Sequence, residues 1–228
     1  MGIRRGSIST PIIADGLVFN VDPANRASYP RTGTVTTDTI GNDAGYINGT
    51  TFSTERDGVF IFDGIDDYID NGNNHLIYGN KDFTIAPWLN VGSHSTYGLA
   101  FYMGNASSYR SAWLGYSATS QAGSSNSIGG GIYGKNLGSG ISSSTGWHYV
   151  TLTYDTTILR LYVDGVQKTT LIESSANIAS SSIRFGKSNS GTQYWYNGDV
   201  GSAQIYNRAL SANEVLHNYN ALKSRFGL

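Results

Sequence analysis

Hydrophobic and polar positions alternate with a period of two along most of the chain. The clearest run is Gly146 to Leu171, GWHYVTLTYDTTILRLYVDGVQKTTL. After Trp147, the residues Val150, Leu152 and Tyr154 alternate with Tyr149, Thr151 and Thr153. Past Asp155-Thr156-Thr157, which reads as a turn, Leu159, Leu161 and Val163 alternate with Arg160, Tyr162 and Asp164. A period of two carried by β-branched and aromatic residues predicts antiparallel strands with one buried face. Asp164-Gly165 predicts a type I′ turn, because both of its central residues need positive φ. A one-residue slip would put each apolar row in water, so the register is specified.

The same reading extends outward. Leu17 to Val21 is a strand with Leu17, Phe19 and Val21 on one face. Val59 to Phe62 is apolar on both parities, which predicts cover on both sides. Phe83 to Val91 is a strand in which Pro87 demands a bulge or an edge position, since proline cannot donate to a ladder. Leu99 to Met103, Ala112 to Tyr116, Ser127 to Tyr133, Ser182 to Gly186 and Gly198 to Tyr206 complete the set. Thr32 to Asn48 is polar and turn-rich, and Ser117 to Asn126 and Gly134 to Thr145 read as loops with little apolar surface to anchor them. A 3.6 period occurs at the end of the chain. Ser211 and Glu214 form a capping box, Val215, Tyr219, Leu222 and Phe226 share a face, and Lys223 and Arg225 suit the dipole at the helix end.

Composition narrows the class. The chain has 228 residues with 29 glycines, 16 tyrosines and no cysteine. Abundant glycine fits short strands joined by tight turns, and the missing cysteine excludes a disulfide scaffold and thiolate metal sites. A net charge of −1 with 14% charged residues gives no global field to draw nucleic acid or a membrane surface, and neither is expected as a partner. Met1 to Gly16 holds no apolar run of signal-peptide length, and no window approaches a membrane span. Residues 1–15 read as an extended arm marked by Pro11, and residues 16–228 as a single domain.

Several stretches carry a family resemblance. GWHYVTLTYD and LRLYVDGV are similar to the central hairpin of laminin-G-like, concanavalin-A-like jelly-roll domains. Phe62 to Tyr68 (FDGIDDY), Phe83 to Val91, and Gly198 to Val215 resemble further signatures of that family. Ala86 and Pro87 stand where the family has an acidic and a small residue before the tryptophan. Asp22, Asn25, Ser28 and Tyr29 resemble a segment that follows the first strand in members encoded by tailed phages. The resemblance implies an all-β, two-sheet antiparallel β-sandwich (a concanavalin-A-like jelly roll) with a short C-terminal helix. It also implies a non-enzymatic structural virion protein of a tailed phage, as a capsid decoration or a head or tail fibre component. The alternative is a carbohydrate-binding adhesion module, in a virion or secreted. On the first reading the protein resides in the virion and assembles in several copies with other virion proteins, the capsid among them. The arm with Arg4-Arg5 would dock on a partner, and a cell-surface glycan is a further expected contact.

Candidate chemistry is sparse. Glucanases of this fold carry Glu-x-Asp-x-x-Glu on one strand, whereas the three glutamates here, Glu55, Glu173 and Glu214, stand in no such motif. No catalytic residue and no cofactor are expected. Asp63, Asp66 and Asp67 could offer hard oxygens to calcium, but the same residues build turns through side-chain to backbone bonds, which is the favoured reading. His75, His94, His148 and His217 have no metal-ligand spacing. Trp113, Tyr116, Tyr133, Tyr194, Trp195 and Tyr196 are the candidates for stacking on a sugar or a partner, against the competing role of core packing. Within Tyr194-Trp195-Tyr196, alternation would set Trp195 on one face and both tyrosines on the other.

Overall fold

The computed structural model describes residues 11–72, 76–94, 96–143, 146–180, 182–189 and 194–228. His75, Arg4-Arg5 and most of the expected arm lie outside the described residues. In chain order the strands begin with β1 (Leu17–Val21), β2 (Val35–Thr37), β3 (Ala44–Asn48), β4 (Thr51–Ser53) and β5 (Val59–Asp63). Next come β6 (Tyr68–Asp70), β7 (Phe83–Val91), β8 (Gly98–Gly104), β9 (Ser111–Ser117), β10 (Ser127–Ile132) and β11 (Lys135–Gly138). The series ends with β12 (Trp147–Tyr154), β13 (Ile158–Val163), β14 (Val166–Ile172), β15 (Ser182–Phe185) and β16 (Asn197–Tyr206). Helix α1 (Ala212–Leu222) runs into a 3-10 turn, Lys223–Phe226.

The strands form two antiparallel sheets. The first has the order β14-β13-β12-β7-β16-β5-β4, with β1 also paired to β16. The second has the order β11-β10-β9-β8-β15-β6-β3-β2. Alternation supplies the core between them: Phe83, Ile85, Leu89 and Val91 of β7 and Val150, Leu152 and Tyr154 of β12 meet Phe101, Met103 and Leu114 of the second sheet. The fold is the expected all-β sandwich with one short C-terminal helix.

The first sheet is buried on its other face too. Ala86, Trp88, Trp147, Tyr149, Tyr162 and Tyr206 form a second cluster with Val215 and Phe226 of the C-terminal segment. Trp88 lies flat on Phe226, with centroids 4.1 Å apart and planes at 10°. Thr151 and Thr153, which alternation assigns to solvent, are buried for the same reason. The capping box is present: the Glu214 amide donates to Ser211 Oγ at 3.3 Å, and the Ser211 amide donates to Glu214 at 2.8 Å. Arg208 clamps the same carboxylate, which holds the Glu214 pKa down at about 2.

Some expectations are met and others are corrected. Pro87 sits in the middle of a central strand, opposite Ala203, and the bulge expected there is supplied by the partner strand: β16 carries one extra residue between Val200 and Ala203. The bulge takes up the missing donor, so no edge is needed. A second bulge, between Leu17 and Phe19, puts Leu17 on the helix side while Phe19 and Val21 enter the main core. Ile61 is exposed although Val59, on the same face, is covered by the helix layer. Gly134 to Thr145 is not all loop: β11 pairs with β10 and is anchored by buried Leu137. The polar stretch from Thr32 to Asn48 contains β2 and β3. The described end of the arm lies on its own domain. The Ile13 amide donates to Asn218 Oδ1 at 2.8 Å, Tyr206 Oη donates to the Ile13 carbonyl at 3.0 Å, and His217 Nε2 donates to the Pro11 carbonyl at 2.9 Å. The Asp164-Gly165 turn has φ of 55° and 78°, as a type I′ turn requires. Among the described residues no helix is long and apolar enough to cross a membrane.

Candidate functional site

The outward face of the second sheet is not uniformly polar. Leu99 and Tyr102 of β8 and Trp113 of β9 form a separate buried cluster there, with Tyr97 and Tyr194 packed against it. Strict alternation would send Leu99, Phe101 and Met103 to one face. The register slips between Leu99 and Phe101, so Leu99 joins Tyr102 on the outward face while Ala100, Phe101 and Met103 enter the core. Gly115 makes the slip feasible: with φ of 152°, its backbone comes so near Gly98 that a Cβ would stand 2.0 Å from the Gly98 carbonyl oxygen.

These residues wall a cleft of about 260 Å³, bounded by Tyr97, Trp113, Tyr133, Asn136, Ser188 and Tyr194 over a floor of Leu99 and Tyr102. Tyr97 stands edge-on to two rings, with centroids 5.6 Å from Trp113 at 87° and 5.3 Å from Tyr194 at 84°. Its phenol accepts from Asn136 Nδ2 at 3.1 Å and also bonds Thr119 Oγ1. Tyr102 Oη donates to Asn189 Oδ1 at 3.3 Å, and burial pushes its pKa up to about 12, so it stays a neutral donor. Asn189 is in turn fixed by the Ala106 amide at 2.9 Å and the Gly104 carbonyl at 3.0 Å. Among the described residues, none lining the cleft carries a carboxylate, ammonium or guanidinium group. Tyr133 is 43% exposed, while Trp113 shows only 4% of its surface.

Tyr194-Trp195-Tyr196 divides differently from the expectation. Tyr194 has φ of 67°, in the left-handed region, and its carbonyl accepts from the Leu99 amide at 3.1 Å. Such a backbone costs a tyrosine roughly 1–2 kcal/mol and is kept where the surroundings impose it. The turn breaks the alternation, so the two tyrosines part. Tyr194 borders the cleft, whereas Tyr196 is fully buried and donates to the Asn90 carbonyl at 3.1 Å. Tyr196 is therefore a core residue and is out of reach of any surface ligand. Trp195 packs near Tyr68 at 6.3 Å, with the Lys187 ammonium 4.6 Å over its ring. Tyr116 also belongs to the core between the sheets, stacked 5.3 Å from His94.

The remaining candidates take structural roles. Asp63, Asp66 and Asp67 bring carboxylate oxygens within 4.8 Å of one another. Asp63 Oδ1 accepts the Ile65 amide at 2.8 Å, and Asp67 Oδ2 accepts the Asp63 amide at 3.0 Å, which is the turn chemistry expected. Burial raises the Asp67 pKa. Glu173 is buried, accepts the Ser175 amide and faces Lys135 at 4.0 Å. His148 bonds Asp164 at 2.7 Å across the central hairpin. Sequence reasoning missed Tyr97, Leu99, Tyr102 and Asn136, because only the bulge in β8 and the β11 pairing bring them to the cleft.

Comparison with known proteins agrees with this architecture. A family model described as the concanavalin A-like lectin/glucanases superfamily matches residues 62–216. No curated protein matches the chain in sequence. Among solved structures, domain 4 of AbnA, an extracellular GH43 arabinanase from Geobacillus stearothermophilus solved with arabinotriose, superposes with a TM-score of 0.65 at 14% identity, over 89% of this chain and 98% of that one. The Trypanosoma rangeli sialidase solved with sialic acid gives 0.61 at 15% identity, over 96% of this chain and 36% of the sialidase. The binding domain of Paraclostridial Mosquitocidal Protein 1 gives 0.61 at 18% identity, over 90% of this chain and 52% of that one. The chain thus spans about a third of the sialidase but nearly the whole arabinanase domain.

Proposed function

Since the chain belongs to the concanavalin A-like lectin/glucanase superfamily, we propose that it is a carbohydrate-binding domain whose ligand sits in the Trp113–Tyr133–Tyr194 cleft. The observation that carries this reading is the uncharged aromatic lining with hydrogen-bonding groups at its edges. Sugar rings present apolar C–H faces that suit aromatic rings, and their hydroxyls need donors and acceptors such as Asn136, Ser188 and the tyrosine phenols. On this reading the domain binds without catalysis: Glu173 and Glu214 are engaged in structural bonds, and among the described residues no carboxylate lines the cleft. Fold alone does not assign a ligand. The arabinotriose bound by the arabinanase domain makes arabino-oligosaccharides the first probes. The virion role rests on the resemblance of Gly16 to Pro30 and of the C-terminal ending to members encoded by tailed phages, whereas the family match and the structural relatives support sugar binding. A sugar-binding domain displayed on a particle would satisfy both.

The test is a glycan array carrying neutral and acidic oligosaccharides, followed by calorimetric titration of the bound probes. Binding that Tyr133→Ala weakens about tenfold, with the melting temperature unchanged, supports the reading. No binding across the array, or binding that Tyr133→Ala and Trp113→Ala both leave intact, contradicts it.

A further inference from the structure

A second cleft adjoins the first. It measures about 250 Å³ and is lined by Ser93, His94, Thr96, Trp195 and Asn197, with Tyr97 and Tyr194 common to both clefts. Each cleft alone falls below the volume range typical of small-molecule sites, and the two together reach it. Their linings differ in kind. The first is walled by rings. The second is polar apart from one indole and the shared tyrosines. Among the described residues, neither lining holds an aspartate, glutamate, lysine or arginine.

We propose that the two clefts are adjacent subsites of one groove, which takes a neutral oligosaccharide with successive units on either side of the Tyr97–Tyr194 pair. This deepens the carbohydrate-binding reading and rests on it. Three features beyond the shared walls support the second subsite. The left-handed backbone of Tyr194 is what sets its ring between the clefts, with Trp195 on the far side. His94 is stacked between Tyr116 and Tyr196, at 5.3 and 5.6 Å, which fixes its ring in the wall of the second cleft. Burial lowers the His94 pKa to about 4, so the ring is uncharged at neutral pH and presents no cation to an acidic sugar. The ammonium of Lys187 is engaged, 4.4 Å over Tyr68 and 4.6 Å over Trp195.

The experiment is a length series. Arabinose, arabinobiose, arabinotriose and arabinotetraose, a matched series of β-glucan oligosaccharides, and sialyllactose and digalacturonate as acidic probes are titrated against the wild type, Trp195→Ala, Trp113→Ala and Tyr133→Ala. Trp195 lines only the second cleft, and Trp113 and Tyr133 only the first. The expected result is a gain of about tenfold in affinity between the mono- and trisaccharide of a neutral series. Trp195→Ala should remove that gain and leave monosaccharide affinity unchanged, while Tyr133→Ala weakens every length alike. Trp113 is nearly buried, so Tyr133→Ala carries the first-subsite result if Trp113→Ala fails to fold. Affinity independent of length, a Trp195→Ala variant that keeps the full gain, or tighter binding of the acidic probes would overturn the two-subsite groove while sugar binding in the first cleft stands. If the wild type binds no probe, the carbohydrate-binding reading itself fails, and the groove with it.

Discussion

Truncating Phe226 to alanine should cost the fold about 4 kcal/mol. Phe226 is 2% exposed and closes the layer between α1 and the first sheet. It stacks 4.1 Å from Trp88 and tilts 4.8 Å from Trp147. Phenylalanine to alanine in a core typically costs ~3–5 kcal/mol, the upper part arising where neighbours cannot collapse into the void. Collapse is restricted here. Gly201 beneath the ring has no side chain to offer, since a Cβ there would lie 2.6 Å from Phe226 Cζ. Trp88 is held by Tyr149 at 5.3 Å and Tyr219 at 5.8 Å. The neighbouring Arg225 anchors the backbone, donating to Asp22 at 2.9 Å and to the Gly58 carbonyl at 2.7 Å. For a domain of this size the loss corresponds to a fall of about 10 °C in melting temperature. Urea denaturation and calorimetry of Phe226→Ala, with Phe226→Leu as a partial replacement costing about 1.5 kcal/mol, measure it. A loss below about 1 kcal/mol for Phe226→Ala would refute the reasoning, because the helix layer would then be dispensable. Oligosaccharide affinity should not change, since the cleft lies on the other sheet.

Two further outcomes follow from the same structure. Gly115→Ala should destabilise the domain by about 3 kcal/mol or fail to fold, because the new Cβ would stand 2.0 Å from the Gly98 carbonyl oxygen; a near-neutral denaturation midpoint would show that the β8 bulge can be remade without it. Acid should weaken the fold in two steps, because both groups have folded pKa values below their ordinary ones. His94, at about 4 against 6.5, contributes stability that is complete above pH 6.5 and lost as pH falls through 4. Glu214, at about 2 against 4.5, contributes stability that is complete above pH 4.5 and lost as pH falls toward 2, worth about 1 kcal/mol after solvent screening. Melting temperature followed against pH for the wild type and His94→Gln should diverge in slope between pH 6.5 and 4; parallel curves would contradict the His94 assignment.

The sequence made the sandwich legible because period-two alternation, the Asp164-Gly165 turn and the Ser211–Glu214 box are local signals whose physics the tertiary structure keeps. It hid the helix-covered face of the first sheet. Thr151 and Thr153 look solvent-facing until Phe226 and its neighbours are placed over that side. The site was half legible. Trp113, Tyr133 and Tyr194 stand out as aromatic residues beside polar loops. Their convergence with Tyr97 and Leu99 depends on a bulge whose only sequence mark is Gly115, one glycine among 29. The misplacement of Tyr196 has a single cause. Alternation assumes extended backbone, and one left-handed residue at Tyr194 sends Tyr196 into the core.

The most direct test of the carbohydrate-binding account is a crystal structure of the protein with the tightest-binding neutral oligosaccharide. The account predicts a sugar ring packed against Trp113 and Tyr133, with hydroxyls within hydrogen-bond reach of Asn136 and Ser188 and the chain passing the Tyr97–Tyr194 pair. A sugar bound at another face, with the cleft lined by Tyr97, Trp113 and Tyr133 left to solvent, would contradict it.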